Sequence, residues 1–152
     1  MAVAEVSVKW TDRKQFVGTD STKHSVVISA QDAENGTGMK PSDMLLLALG
    51  GCSGVDVVSI LAKQRQELTG LEMRIGGEQS DEDWPRPFRK IHVEYILKGK
   101  GLTEKGVARA IGLSHETYCS VGSTIEGVAE ITYSYKIHDE GEADVQNVKR
   151  KT

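Results

Sequence analysis

The sequence predicts an α+β fold in which antiparallel sheets pack around one long central helix. Stretches with a two-residue apolar period occur in blocks around helical stretches, in the order ββ(β)–α–ββ–α–(α)–β. Strands grouped in this way favour antiparallel pairing over the strict alternation of a doubly wound sheet. Residues 44–62 form a long apolar stretch whose single charge is Asp56, and this stretch predicts the central helix.

Strands are predicted wherever apolar and polar residues alternate. The segments with this pattern are 4–10, 71–75, 91–97 and 129–137, and residues 16–18 and 24–30 are also predicted as short strands. Loops with glycine or proline separate several of them, and the chain becomes polar at its C-terminal end. We therefore predict a single domain over residues 1–138 and a polar C-terminal tail over residues 139–152.

Three helices are predicted between these strands. Pro41 suits the first turn of a helix because its missing N–H needs no partner there. The central helix is predicted to run from Pro41 to about residue 68, with Gly70 as the stop signal. Thr103 is placed to cap a second helix, and residues 118–125 fit a short third helix or a turn. Because the central helix is apolar nearly all round, it needs cover on most sides, and a homodimer would supply that cover.

Length, charge and composition exclude several classes of protein. The chain has 152 residues, which suits one domain of ordinary size. A net charge of −3 and an isoelectric point near 5.8 argue against a nucleic-acid partner bound through its phosphates. No secretory signal is visible at the N-terminus, and two cysteines fit a reducing compartment, so we expect a cytoplasmic location. Asp56 and three glycines interrupt residues 44–62, so we expect a buried helix and no membrane partner.

The two cysteines, Cys52 and Cys119, are the candidate reactive groups. They lie 67 residues apart, and two cysteines make neither a disulfide framework nor a four-ligand zinc site. Cys52 lies in the segment Gly50-Gly51-Cys52-Ser53-Gly54, and each helical glycine costs about 1 kcal/mol relative to alanine. The glycines allow either a close helix contact around an inert buried thiol or an approach path to a reactive one. The residues alone leave both interpretations open.

Activation of Cys52 cannot come from its own helix. A reactive thiol must be a thiolate, which requires a nearby cation or helix N-terminus. Cys52 lies eleven residues, about 16 Å, beyond Pro41, and Asp56 one turn later would raise the pKa of the thiol. We therefore expect activation from elsewhere in the fold or from a second subunit. His115 and Cys119 have the spacing of two metal ligands on one helix face, but no third ligand is evident, so no metal site is predicted.

Two segments of the chain carry a family resemblance. Residues 41–61, P-S-D-M-L-L-L-A-L-G-G-C-S-G-V-D-V-V-S-I-L, resemble the cysteine helix of the OsmC/Ohr family. Residues 113–121, L-S-H-E-T-Y-C-S-V, resemble the second cysteine motif of that family. The order of strands and helices is also similar, and the chain looks closest to the OsmC-like branch with Gly-Gly-Cys-Ser-Gly. The resemblance implies the OsmC-like fold, assembled as an intertwined homodimer with the cysteine helices at its centre.

The resemblance also implies an activity. Family members are thiol-dependent peroxidases that reduce organic hydroperoxides or hydrogen peroxide in oxidative and osmotic stress defence. Carried over, Cys52 would be the peroxidatic thiolate that becomes a sulfenic acid, and Cys119 would condense with it to a disulfide. A dithiol reductant would restore both thiols, without a metal or an organic cofactor.

The family also uses an arginine from the N-terminal strands and a glutamate at the start of the cysteine helix. Arg13 and Asp43 are the candidates for these roles here. The position directly after Pro41 is Ser42, and the carboxylate stands one place later on the shorter Asp43. These departures leave an alternative function, a non-enzymatic small-molecule-binding or stress-associated protein on the same scaffold.

Overall fold

Three short strands near the N-terminus pair into an antiparallel sheet of order β1–β2–β3. They are β1 (Ser7–Asp12), β2 (Gln15–Thr19) and β3 (Ser25–Ser29) in a computed structural model that describes residues 3–82, 84–140 and 147–151. The chain divides into two compact units, Met1–Leu45, which holds this sheet, and Leu46–Thr152. In the first unit, Arg13 lies in the turn between β1 and β2 with a φ of 46°, and the indole of Trp10 donates to its carbonyl.

The central helix, α1, spans Pro41–Lys63 and ends about five residues earlier than predicted. Arg65 adopts a left-handed φ of 56°, the Arg65 N–H bonds to the Ala62 carbonyl, and the Gln66 N–H bonds to the Leu61 carbonyl. This is the Schellman pattern that commonly ends helices, although glycine usually occupies the left-handed position. The sequence prediction used Gly70 as the stop and therefore placed the helix end too late.

The second unit contains a four-stranded sheet of order β4–β5–β6–β7. Its elements are β4 (Glu67–Gln79), β5 (Phe88–Lys100), α2 (Glu104–Leu113), a π-helical turn (Ser114–Tyr118), α3 (Ser120–Ile125), β6 (Glu130–Asp139) and β7 (Asn147–Lys151). The predicted α+β class is confirmed, but the prediction of purely antiparallel sheets is wrong at one position. Strands β5 and β6 pair in parallel, because the helical segment between them returns the chain to the end at which β5 began.

The core of the second unit lies between the sheet and the helices. Alternate residues of β5 are completely or almost completely buried, as are residues four apart on α1, so each element turns one apolar face inward. The buried residues from β5, α1 and α2 are Ile91, Val93, Tyr95, Leu97, Leu49, Val57, Leu61, Val107, Ala110 and Ile111. By length and composition alone, α1 would be able to cross a membrane. Its buried stripe instead identifies it as a core helix of this unit.

The C-terminal end of the chain differs from the predicted tail. Strand β6 continues through Asp139, and Asn147–Lys151 pair with it in antiparallel fashion as β7. Residues 141–146 and 152, also within the predicted tail, lie outside the described residues. A free edge of β6 offers unpaired backbone groups, which explains how a polar segment is able to form a strand there.

Candidate active site

Helix α1 carries Cys52 at a point where β4 packs close against the helix. A Cβ on Gly50 would lie 2.7 Å from Ile75 Cδ1, and one on Gly54 would lie 3.1 Å from Met73 Sδ. The first contact would force Ile75 to shift and the second would need a small adjustment of Met73, so these two glycines allow close packing of helix and strand. A Cβ on Gly51 would meet nothing within 4 Å. The glycines next to the half-buried Cys52 thus serve packing on one side and leave open space at Gly51.

Cys119 lies at the junction of the π-helical turn and α3, where it is buried in the core with 2% exposure. Its Sγ accepts a hydrogen bond from the Gly122 N–H at 3.3 Å, so the thiol acts as the N-cap of α3. The Cys119 N–H in turn bonds to the Ser114 carbonyl at 2.8 Å. These contacts fix the orientation of the side chain before any chemistry takes place.

The two thiols lie close enough to affect each other's ionisation, and their pKa values move in opposite directions. Partial burial raises the pKa of Cys52, but the Val121 N–H, the Cys119 thiol and the Ser120 hydroxyl all favour the thiolate, so its net pKa is lowered. Burial raises the pKa of Cys119 to about 11, and the neighbouring Cys52 adds to the increase. Cys52 is therefore the thiol of this pair that ionises at the lower pH.

This result confirms two sequence expectations about activation. The groups that favour the Cys52 thiolate come from the start of α3 and not from α1 itself. Asp56 acts in the predicted unfavourable direction and raises the pKa of Cys52, as the weakest of its influences. The hydrogen-bond donors of Ser120 and Val121 lower the pKa of Cys52 by more than Asp56 raises it.

A chain of buried hydrogen bonds runs from Asp56 to His115. Ser114 Oγ lies 2.9 Å from Asp56 Oδ2 and 3.0 Å from Ser53 Oγ, and Ser53 is hydrogen-bonded to the Tyr95 hydroxyl. That hydroxyl lies 2.9 Å from His115 Nε2. Ser114 Oγ is the donor in both of its contacts, and because a hydroxyl has one hydrogen it serves one of them at a time. Either partner is able to donate in the Ser53–Tyr95 contact, and the tautomer of His115 sets the donor in its contact with Tyr95.

Burial changes the pKa of two groups in this hydrogen-bonded chain. Burial raises the pKa of Tyr95, which keeps the phenol protonated and able to donate. Burial lowers the pKa of His115, whereas the carboxylates of Glu126 and Asp56 act in the opposite direction, so the ring is neutral near pH 7. The His115 ring also stacks on Tyr133, with centroids 4.7 Å apart. The hydrogen-bonded chain joins α1, β5 and the π-helical turn.

The neutral state of His115 predicts a pH dependence of stability. The pKa of its ring is lower in the folded chain than the unfolded value of 6.5. The stability linked to the neutral ring is therefore complete above pH 6.5 and is lost as the pH falls through the folded pKa. We expect the free energy of unfolding to decrease between pH 7 and 5.5, measured by urea denaturation. The His115→Gln variant should show a smaller decrease in the free energy of unfolding. The control His24→Gln, at an exposed site, should show the same decrease as the parent. Equal decreases in both variants would contradict the neutral state of His115.

The other two predicted site residues, Asp43 and Arg13, lie in the N-terminal unit. Asp43 is exposed in the first turn of α1, where a carboxylate also favours the helix dipole. Arg13 is exposed, and its Nε lies 3.9 Å from Asp12 Oδ2. Their part in thiol chemistry stays a prediction. For the metal alternative, no group of three or more potential ligands clusters within the part of the chain that the structure describes.

A family model for OsmC-like proteins matches residues 30–134. The chain belongs to the OsmC-like family. It is 37% identical over 133 residues to protein YhfA of Escherichia coli strain K12, a match that covers 88% of this chain and 97% of YhfA.

Solved structures show the same fold. A hypothetical protein from Aquifex aeolicus VF5 superposes with a TM-score of 0.82 at 28% identity, covering 92% of this chain and 99% of that one. The organic hydroperoxide resistance protein OhrB of Bacillus subtilis superposes with a TM-score of 0.61 at 17% identity, covering 89% and 98%. At the latter identity the likeness concerns the fold alone.

In this OsmC-like chain, sequence reasoning missed most of the groups around the two cysteines. Ser120 and Val121 directly follow Cys119, so their place in the second cysteine motif was an available signal. Tyr95 gave no signal, because it occupies an ordinary inward position in a strand of alternating residues. Ser53 and Ser114 lie 61 residues apart and meet only in the folded unit.

The lowered pKa of Cys52 predicts selective alkylation. Because only the thiolate reacts, iodoacetamide should modify Cys52 at neutral pH and leave Cys119 unmodified on the same timescale. The pH profile of the rate, followed by mass spectrometry of the peptides, should give a pKa for Cys52 below that of cysteine in an unfolded control peptide. Ser120→Ala removes one donor and should raise that pKa, whereas Ser123→Ala, an exposed serine on the same helix, should not. Faster modification of Cys119 would contradict the assignment.

Proposed function

We propose that this protein is a thiol-dependent peroxidase that reduces organic hydroperoxides or hydrogen peroxide through a disulfide cycle. The observation that supports the proposal most strongly is that Cys52, whose pKa is lowered, and Cys119, whose pKa is raised, affect each other's ionisation. A thiol with a lowered pKa beside a second thiol is the arrangement that a two-thiol cycle uses, the first as nucleophile and the second as its disulfide partner. Membership of the OsmC-like family adds support, since structural relatives include a protein named for organic hydroperoxide resistance.

The proposed cycle has three steps. The Cys52 thiolate attacks the terminal oxygen of the O–O bond; that bond breaks, Cys52 becomes a sulfenic acid, and the alkoxide takes a proton and leaves as an alcohol. The Cys119 sulfur then attacks the Cys52 sulfur and gives a disulfide, while its proton leaves with the sulfenic hydroxyl as water. A small dithiol then reduces this disulfide. The exchange restores the thiols of Cys52 and Cys119 and oxidises the dithiol to its own disulfide.

We further propose that the protein acts as a homodimer in the reducing cytoplasm. One face of α1 is exposed and apolar, with Leu47 at 54% and Val55 at 68% exposure, and β4 residues continue the patch. A groove of about 670 Å³ runs along this face. Burying such a face against a second copy would remove apolar surface from water. In the dimer, Asp43 and Arg13 are the proposed carboxylate and arginine that assist the thiol.

A stoichiometric oxidation tests the proposed cycle. One equivalent of an organic hydroperoxide should remove two free thiols per chain, and digestion should yield a disulfide that joins the Cys52 and Cys119 peptides. Excess dithiothreitol should restore both thiols. No thiol loss, or loss without a disulfide between these two residues, would overturn the proposal and favour the non-enzymatic binding function.

A further inference from the structure

Ser114 connects the two segments that carry the cysteines. Its side chain is completely buried and reaches α1, with Oγ 3.0 Å from Ser53 Oγ and 2.9 Å from Asp56 Oδ2. Its carbonyl accepts a hydrogen bond from the Cys119 N–H at 2.8 Å. One residue therefore bonds through its side chain to the helix that carries Cys52 and through its backbone to Cys119 itself.

The backbone bond between Ser114 and Cys119 closes the π-helical turn. It joins residues five apart, whereas an α-helix joins residues four apart, so this turn holds one residue more than an α-helical turn. The extra residue changes the direction in which the chain leaves the turn at Cys119. The turn is attached to α1 at Ser114 and to β5 by His115, whose Nε2 lies 2.9 Å from the Tyr95 hydroxyl. The position of Cys119 therefore depends on these attachments.

The same turn positions the groups that favour the Cys52 thiolate. The Val121 N–H and the Ser120 hydroxyl lower the pKa of Cys52, and both residues lie at the start of α3, directly after the turn. Helix α3 lies against α1 there, since a Cβ on Gly122 would be in van der Waals contact with Leu49 Cδ1 at 3.6 Å. A shift of the turn would therefore move both donors and the second thiol relative to Cys52.

We propose that Ser114 is a positioning residue of the thiol cycle, whose hydroxyl holds residues 119–121 in place beside Cys52 through its hydrogen bonds to α1. Ser114 acts through the turn that begins with it and does not itself react. This inference rests on the proposed function, because it concerns the step that closes the disulfide. In that step the Cys119 sulfur bonds to the Cys52 sulfur, the S–O bond of the sulfenic acid breaks, and the hydroxyl leaves with the Cys119 proton as water.

Reaction of the full-length reduced protein with one equivalent of dipyridyl disulfide measures this positioning without peroxide. The Cys52 thiolate displaces one thiopyridone and forms a mixed disulfide; Cys119 then displaces the second thiopyridone and closes the disulfide. Absorbance follows both releases. In Ser114→Ala we expect the second release to be slower by roughly tenfold or more, because a small misplacement of reacting atoms is costly. The pH profile of the first release should give a higher pKa for Cys52 than in the parent.

Ser134→Ala is the matched control for Ser114→Ala. Ser134 is a buried serine of β6 in the same unit, and its Oγ lies 2.9 Å from His92 Nε2. Both variants remove one buried hydroxyl with its hydrogen bond, so thermal unfolding should show similar losses of stability. The control should keep both release rates within about twofold of the parent, because distant sites act independently. Equal slowing in both variants, or parent rates and pKa in Ser114→Ala, overturns the positioning role.

A second pair of variants tests the link from α1 and leaves Ser114 intact. Asp56→Asn and Asp56→Ala both remove the charge of the carboxylate, but only asparagine keeps an oxygen that accepts a hydrogen bond from Ser114. We expect the second release to be roughly threefold or more slower in Asp56→Ala than in Asp56→Asn, since only the latter retains this bond. Equal rates in the two variants would contradict the proposed link between α1 and the turn.

The failure of this inference is distinguishable from failure of the proposed function. A protein whose second release depends on Ser114 but that forms no disulfide with hydroperoxide keeps the positioning role and lacks the peroxidase function. A protein that forms the Cys52–Cys119 disulfide with hydroperoxide, and whose second release is unchanged in Ser114→Ala, keeps the activity and lacks the positioning role.

Discussion

Replacing Cys52 with serine is expected to lower the rate of hydroperoxide reduction by roughly 10³-fold or more, because a serine hydroxyl does not ionise near neutral pH and the nucleophile is lost. The expected effect of Cys119→Ser is different. In the Cys119→Ser variant the Cys52 thiolate remains and should still reduce one equivalent of hydroperoxide. No disulfide is able to form within the chain of this variant. Sulfenic acid should therefore accumulate at Cys52.

Both variants are measured by the same two experiments. A coupled assay with a dithiol follows peroxide consumption, and dimedone labelling followed by mass spectrometry detects sulfenic acid. Labelling should occur at Cys52 in Cys119→Ser and should be absent in Cys52→Ser. Circular dichroism should show that both variants remain folded. If Cys52→Ser retained activity while Cys119→Ser lost the first turnover, the two assigned roles would be reversed.

The largest expected effect on stability comes from Gly99→Ala. Gly99 is buried near the end of β5, and a Cβ there would lie 2.1 Å from the Glu67 carbonyl oxygen and 2.9 Å from Leu102 Cγ. The carbonyl belongs to the paired strand β4, so one of the two strands must move to relieve the clash. Overpacking of this kind typically costs 1–3 kcal/mol, and a clash with backbone places this variant at about 3 kcal/mol. A chain of this size should then lose about 6–12 °C in melting temperature.

Gly76→Ala is the matched control for this prediction. Gly76 lies in β4 of the same sheet, and a Cβ there would meet nothing within 4 Å. Both variants add one methyl group to a strand glycine, so their difference isolates the clash. Thermal unfolding should show Gly76→Ala within about 0.5 kcal/mol of the parent, as for most surface changes. Equal losses of stability in the two variants would contradict the prediction, because they would show that any strand glycine in this sheet is equally sensitive to an added methyl group.

Several features of the fold were predictable because they depend on local pattern. The alternation in β5 identifies its inward residues, and Pro41 marks the first residue of α1 correctly. The end of α1 was predicted too late, because the left-handed position is occupied by Arg65 and carries no glycine signal. The parallel pairing of β5 with β6 was missed, because it depends on how the intervening helices return the chain.

For the candidate site, the sequence by itself determined the two cysteines, their family motif and the unfavourable influence of Asp56. Only the tertiary structure decided which thiol ionises, because the pKa of Cys52 depends on burial and on donors from Ser120 and Val121. Those residues lie more than 65 positions away along the chain, and no periodic pattern reports contacts between such distant segments. The same reason applies to the hydrogen-bonded chain through Tyr95, whose parts come from elements that meet only when the chain folds.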